Sequence, residues 1–335
     1  MNGCQTEYDD DVLSVLLPYR DAGSTVARAL ESVLAEDAVD EVIAVDDGSR
    51  DDGASRVRRA SDARVVHVRT AGVGVARALA IGLEHARGDL VARMDADDVS
   101  AEGRIEAEAR LLASEPSLAV AGCLVDAPGA GDGMRAYVAW QNSIVTAEEH
   151  ALAMFVESPL CHPATTMRRA ALESVGGFRD TPWAEDWDLF LRLDAAGFRF
   201  AKVPRVLFSW RQHERSVTRR DARCSIERLR EARARYLAPR LARMKRPVAV
   251  WGAGPTGKRL ARELEKHGVS PARFIDIDPR KIGRTRRGAP VVGRDAIDRE
   301  HTIVVAVGAR GARELVRADL ASRGFVEGRD FVLAA

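Results

Sequence analysis

The chain is poor in cysteine, and what it has is unpaired in sequence. Its four cysteines, Cys4, Cys123, Cys161 and Cys224, lie far apart and form no CxxC motif. That spacing makes neither a disulfide framework nor a zinc signature. No apolar run approaches the roughly 18 residues of a spanning helix. The opening MNGCQTEYDDDV is acidic and lacks the apolar centre of a signal peptide, so a cytoplasmic, reducing setting is expected. An excess of one charge is also missing: 51 Lys and Arg against 50 Asp and Glu leave a net +1. The whole molecule is therefore not built to bind a polyanion such as nucleic acid, and any basic patch must be local. No short-period repeat is present. What remains is a globular mixture, 46% hydrophobic and 30% charged over 335 residues. That is enough for one large domain or two ordinary ones.

The first part of the chain alternates strand and helix patterns. VLSVLLPY, DEVIAVDDGS, RVVHV and DLVARMDADD read as strands. STVARALESVLAE, ASRVRRAS and GVGVARALAIGLEHARG read as helices, the first capped by Ser24 or Thr25. Such alternation predicts an α/β fold with a parallel sheet covered on both faces, and ligands at the carboxyl ends of its strands. Asp46, Asp47, Asp95 and Asp97 all fall at such ends.

From Arg219 to Arg246 arginines dominate, and Ile226, Leu229, Tyr236, Leu237, Leu241 and Met244 recur at helical spacing. Pro239 is expected to break or kink this segment. It reads either as a solvated helix packed along one face or as a surface for peripheral contact with anionic lipid. A second α/β segment begins at Pro247 with PVAVWGAGPTGKRLARELEKHG. Its Gly252, Gly254 and Gly257 follow a strand and open a helix, and Asp276 stands about twenty residues on, as in a nucleotide-binding turn. Docking, binding of a nucleotide and redox chemistry are the three uses weighed for it.

The Asp-x-Asp of VARMDADD carries the chemistry. Alternate residues of an extended chain project to one side, so Asp95 and Asp97 can converge on one ligand. A hard cation such as Mg²⁺ or Mn²⁺, arriving with a nucleoside diphosphate, suits one or two carboxylates. An exposed acidic turn is the plain alternative.

Six ordered segments together resemble glycosyltransferase family 2 proteins of GT-A fold, over Val12 to Thr218. They are SVLLPYRDAGSTVARALESVLAE, DEVIAVDDGSRDDGA, ARGDLVARMDADD, CHPATTMRRAALESVGGFRD, EDWDLFLRLDAAG and LFSWRQHERSVT. The resemblance implies a GT-A domain over 1–218, a basic helical linker over 219–246 and a Rossmann-like domain over 247–335. That last segment resembles small domains of bacterial sugar-modifying enzymes.

By the same resemblance Pro18, Tyr19 and Asp46 line the nucleotide base, with Asp47 nearby. Asp95 meets the ribose or the metal, and Asp97 holds the metal. Arg211 and His213 close over the diphosphate, with His213 as a metal or phosphate contact or simply a loop histidine. Asp186 is implied as the general base and Glu185 as an acceptor-shaping residue; either also suits a helix cap. Trp187, like Trp183, is core or a stacking face for a sugar. His162 is a bend residue or a contact to acceptor or donor. Arg69 and Arg77 are solvated or reach the phosphates, with Arg69 read as solvated. Ala80 stands where the family usually has Asn.

The expected enzyme is thus an inverting, metal-dependent transferase. It moves a sugar from a nucleotide-sugar, UDP-sugar first, to a carbohydrate or lipid-linked acceptor, in bacterial polysaccharide or glycoconjugate synthesis. The competing classes are an oxidoreductase or epimerase centred on the glycine turn, with a nucleotide bound there, and a sugar-nucleotide-binding regulatory protein.

Overall fold

The computed structural model describes residues 12–213 and 221–334. The acidic opening with Cys4, the end of the Arg-x-His segment and the first residues of the basic linker lie outside them. Two compact units emerge, Met1–His150 with Pro159–Thr181 and Glu185–Arg220, and Ala151–Ser158 with Pro182–Ala184 and Asp221–Ala335.

The first unit is built on an eight-stranded sheet of order β3-β2-β1-β4-β7-β6-β8-β5. Strands β1 (Leu13–Tyr19), β2 (Glu41–Asp46) and β4 (Leu90–Arg93) are buried along their whole length. They are continuous apolar runs because helices cover both faces of a central parallel strand. β3 (Val65–Arg69) forms the half-exposed parallel edge. Helix Val26–Leu34 buries Val26, Ala29, Leu30 and Val33, the stripe its spacing predicts. Thr25 is its N-cap residue, but the hydroxyl donates to the Ala22 carbonyl and does not cap.

Beyond β4 the sheet changes character. β7 (Thr165–Arg168) runs antiparallel to β4 and to β6 (Leu118–Asp126). β8 (Arg199–Ser209) then pairs parallel with β6, and the short β5 (Val99–Ser100) closes the edge antiparallel to β8. This return brings residues 211–213 alongside the turn that follows β4.

The second unit has a six-stranded sheet of order β11-β12-β10-β9-β13-β14. β9 (Val248–Trp251), β10 (Pro271–Ile275), β12 (Ala289–Val292), β13 (Thr302–Val305) and β14 (Phe331–Leu333) are parallel, and β11 (Thr285–Arg286) forms a hairpin with β12. Helix Ile226–Arg243 belongs to this unit, and Pro239 lies inside it without ending it. The stripe differs from the apolar pattern: Ala232, Ala234, Leu237, Ala238, Leu241 and Arg230 are buried, while Ile226 is exposed. Arg233 donates to the Phe155 and Val156 carbonyls at 2.7 and 2.6 Å, and Arg240 lies over the Phe155 ring. Several arginines of this segment therefore pack inward. No helix among the described residues is long and apolar enough to cross a membrane.

Candidate active site

The carboxyl ends of β2, β1 and β4 lie side by side, and each ends in a polar or ionisable residue. Tyr19 registers with Asp46 across the β1–β2 pair. Asp46 is buried; its Oδ1 accepts from the Ser49 N–H at 2.8 Å, and Oδ2 has no hydrogen-bond partner among the described residues. The nearest cation is Arg69, whose Nε stands 3.8 Å from that oxygen. Arg69 thus reaches Asp46 from an exposed position. Burial, then the Asp46 charge, push the Tyr19 phenol up to about 12. Pro18 precedes Tyr19 inside buried β1.

Asp47 is spent differently. It accepts from the Thr70 hydroxyl and from the N–H groups of Val73 and Gly74, at 2.7 and 2.9 Å for the last two. Burial opposes its ionisation, but these bonds and Arg20 outweigh it, so its pKa is lowered. Asp47 ties the end of β2 to the turn that opens helix Val75–His85.

At the end of β4 the acids cluster. Asp95 Oδ1 accepts from Nη2 of Arg93 at 2.5 Å, and Arg93 is 1% exposed. Asp97 Oδ2 lies 2.7 Å from Nε2 of His213. Asp98 is buried, and its Oδ1 accepts from the Arg211 N–H at 2.7 Å while Oδ2 has no hydrogen-bond partner among the described residues. Burial, then Asp95, raise the pKa of Asp97, with His213 opposing. Burial, then Asp95 and Asp97, raise that of Asp98 well above the usual carboxylate range. The group is crowded with negative charge, and oxygen and imidazole donors of this kind suit a hard divalent cation. Among the described residues no three His, Cys, Asp or Glu side chains form a complete metal cage. A cation here would draw its remaining ligands from a diphosphate.

Asp186 stands in the first turn of helix Glu185–Ala195. Its Oδ1 accepts from the Trp187 N–H at 2.7 Å. Burial raises its pKa, backbone N–H groups oppose this, and the charges of Asp95 and Arg93 both act on it. Asp186 therefore shares an electrostatic environment with the acids after β4. The helix is pinned by Arg192, which pairs with Asp188 at 2.7 Å and donates to the carbonyls of Val175 and Gly177 at 2.7 and 2.8 Å. Gly176 and Gly177 both adopt positive φ, which explains the double glycine.

Two expected acceptor contacts are corrected. Trp187 is 1% exposed, so its ring belongs to the core and offers no stacking face. His162 is also buried, packed against Phe178 and Phe190 at centroid distances of 5.7 and 5.8 Å. Burial, then Arg93, drive its pKa well below the usual histidine value, so it is a neutral interior ring. Glu185 remains half-buried at the start of its helix. Arg93 and Asp98 are the residues sequence reasoning passed over. Arg93 precedes Asp95 by two positions, which puts both on one side of an extended chain.

In the second unit two of the three glycines answer to packing. A Cβ at Gly252 would stand 2.2 Å from the Ala306 carbonyl oxygen, and one at Gly257 1.9 Å from that of Gly252. Gly254 has open space there. Asp276 accepts from the Ala253 N–H at 2.9 Å and pairs with Lys281 at 3.0 Å, so its carboxylate is engaged inside the unit.

With this geometry in place, residues 14–176 match the family described as Glycosyl transferase family 2. The chain carries a glycosyltransferase domain. EpsE of Bacillus subtilis (strain 168), named as a glycosyltransferase, is 28% identical over 228 residues, covering 64% of this chain and 78% of its own. Among solved structures, the mannosyltransferase PcManGT of Pyrobaculum calidifontis, in complex with GDP-Man and Mn²⁺, aligns with TM-score 0.51 at 21% identity over 74% of this chain and 67% of its own. S. aureus TarS 1–349, in complex with UDP-GlcNAc, aligns with TM-score 0.56 at 18% identity over 76% and 72%. These likenesses fix the GT-A fold of the glycosyltransferase. Further relatives bear names from bacterial amylovoran and succinoglycan biosynthesis.

Proposed function

We propose that this glycosyltransferase moves a sugar from a nucleotide-sugar to an acceptor hydroxyl with inversion, in bacterial polysaccharide or glycoconjugate synthesis. The observation that carries the reading is the shared field of Asp186, Asp95 and Arg93: a half-buried carboxylate stands where the acids after β4 are felt. Pro18, Tyr19 and the Oδ2 of Asp46, which makes no hydrogen bond among the described residues, line the base side. Asp95 and Asp97, with His213, would hold Mg²⁺ or Mn²⁺ against the diphosphate, and Arg211 would close over it. The ion, when bound, stabilises negative charge on the leaving diphosphate as a Lewis acid.

The chain's own part is the proton. Asp186 takes it from the acceptor hydroxyl while that oxygen bonds the anomeric carbon. The bond from that carbon to the diphosphate oxygen breaks, and its electron pair leaves with the nucleotide. The hydroxyl's pKa lies far above neutrality, so a positioned carboxylate is needed. The raised pKa of Asp186 makes it a better proton acceptor than an ordinary aspartate. Glu185, on the same turn, is the residue left to shape the acceptor.

The engaged Asp276 and the packing-driven Gly252 and Gly257 favour an architectural use of the second unit's glycine turn over nucleotide binding. In helix Ile226–Arg243 the exposed Arg228, Arg235 and Arg243 are the contacts available to an anionic membrane surface. A melting screen of UDP- and GDP-sugars with and without Mn²⁺ tests the central reading. A nucleotide-sugar that stabilises the protein more with the ion is expected; no response to any of them would overturn it.

A further inference from the structure

One charge at the end of β4 is neither a carboxylate nor an awaited metal. It is Arg93, in the middle of the sheet. Its Nη1 donates to the carbonyls of Leu16 and Met94 at 3.3 and 3.1 Å, and Nη2 donates to Asp95. Leu16 is the residue paired with Arg93 across the β1–β4 ladder, so one guanidinium joins the end of β4 to the middle of β1. Its Nε has no partner among the described residues.

The main chain at this position is held as well. Arg104, fully buried, donates from Nη2 to the Arg93 carbonyl at 3.2 Å. Arg104 in turn bonds Ser100 through Nε at 2.7 Å and Glu108 through Nη1 at 3.3 Å. Glu108 accepts from Thr166 of β7 at 2.7 Å. A buried polar chain thus runs from β7 through helix Arg104–Ser114 to the backbone of Arg93 and out to Asp95.

A buried arginine costs several kcal/mol in desolvation unless its surroundings repay it. Aliphatic side chains would fill β4 as they fill β1. What an aliphatic residue cannot supply is a permanent positive charge beside Asp95, within reach of Asp98 and Asp186. A planar fork whose Nη1 is anchored on two carbonyls also aims its Nη2 at Asp95 Oδ1. Oδ1 is consumed, and Oδ2 carries no hydrogen bond among the described residues.

We infer that Arg93 is a positioning residue of the donor site. It fixes Asp95 so that only Oδ2 faces the nucleotide-sugar or its cation, and it is the built-in counter-charge beside the acids after β4. The inference rests on the reading of Asp95 as a donor-side ligand.

The test is a double-mutant cycle, read by calorimetry with Mn²⁺ and UDP, and in parallel Mn²⁺ and GDP. Asp95→Asn should weaken binding by about tenfold, the scale of one hydrogen bond to a charged group. Arg93→Met should do the same, and Arg93→Lys, which keeps the charge but not the fork, should fall between it and the native chain. If Arg93 acts through Asp95, the losses do not add: Arg93→Met with Asp95→Asn binds within about twofold of the weaker single variant. Additive losses, near a hundredfold, would make Arg93 a structural residue and overturn the assignment. So would native binding by Arg93→Met. Should Arg93→Met fail to fold, the cycle with Arg93→Lys and Asp95→Asn decides by the same criterion. Native binding by Asp95→Asn alone, or no binding of either nucleotide by the unaltered chain, would instead remove the donor-site reading, and Arg93 would have nothing to position.

Discussion

Acidic residues lie beside strand and helix termini in both units, and the two units answer their charge differently. In the first, Asp97, Asp98 and Asp186 have raised pKa values, and Asp46 and Asp98 each keep a buried oxygen without a hydrogen bond among the described residues. In the second, Asp276 pairs with Lys281, Asp298 with Arg273 and His301, and Asp330 with Arg329 and Arg246. Asp298 is pulled down to about 2 because its bonds to His301 and Arg273 overcome burial. Asp330 is held at about 2, by Arg329 first. Acids whose charge is answered within the fold stabilise it; acids whose charge is left partly unanswered are available to a ligand.

The comparison breaks most visibly at Asp186. Asp186→Asn should leave binding of UDP or GDP with Mn²⁺ nearly unchanged and lower transfer by about 10²-fold or more. In the native enzyme the rate should fall as pH drops through a base pKa above the ordinary 3.8 of aspartate, because the protonated carboxyl accepts no proton. Initial rates across pH, with binding measured separately, check both. Turnover within a few-fold of native would return Asp186 to a helix-start role. Glu185 would then be next, since Asp188 is occupied by Arg192.

The opposite case is Asp330. Its folded pKa lies below the unfolded 3.8, so its contribution is complete above that value and lost as pH falls toward 2. Asp330→Asn should cost about 2 kcal/mol at neutral pH and almost nothing near pH 2. Denaturant unfolding at the two pH values measures this; an equal loss at both would assign the effect to packing.

A smaller effect is expected at Asp97. Asp97→Ala should weaken UDP or GDP binding in Mn²⁺ by about tenfold and leave binding in chelator unchanged, since one charged ligand is removed. Equal native binding with and without chelator would take the metal out of the reading.

The smallest concerns a cation. Lys202 is buried in β8 and donates to the Gln141 carbonyl, and burial lowers its pKa from 10.5 to about 7. The unfolded chain therefore holds the proton more tightly, and this lysine destabilises the fold most at pH 7 and below. Lys202→Met should gain about 1 kcal/mol or more at pH 7, after the lost hydrogen bond is counted, and the gain should shrink and turn to a small loss toward pH 10.5. Melting across that window would show it; a gain that does not change with pH would exclude ionisation as its cause.

The alternation of strand and helix from Val12 to Arg93 was readable because the central strands are uninterrupted apolar runs and the helix stripes are regular. The acids at the strand ends were readable from alternation alone. The sheet's mixed far half was harder: β6 and β8 owe their parallel pairing to contacts some eighty residues apart. Arg93 was hidden because one basic residue in LVARM does not disturb an apolar pattern, and only the pairing across β1 shows that it points inward. Trp187 and His162 looked like sugar contacts because residue type says nothing of depth. The Pro239 break failed because a proline costs a helix one hydrogen bond, and the packed face of Ile226–Arg243 offsets that loss.

Asp97 and Asp98 hold His213 and the Arg211 backbone, while Val99 and Ser100 pair with Ser209 and Phe208. These contacts work like the teeth of a zip, and their partners are set by counting. One residue inserted between Ser209 and His213 would offer each acid the wrong partner, although every amino acid involved would still be there. In this corner of the enzyme the inherited quantity is a distance along the chain, so evolution should tolerate exchanges of residue type here more readily than changes of length.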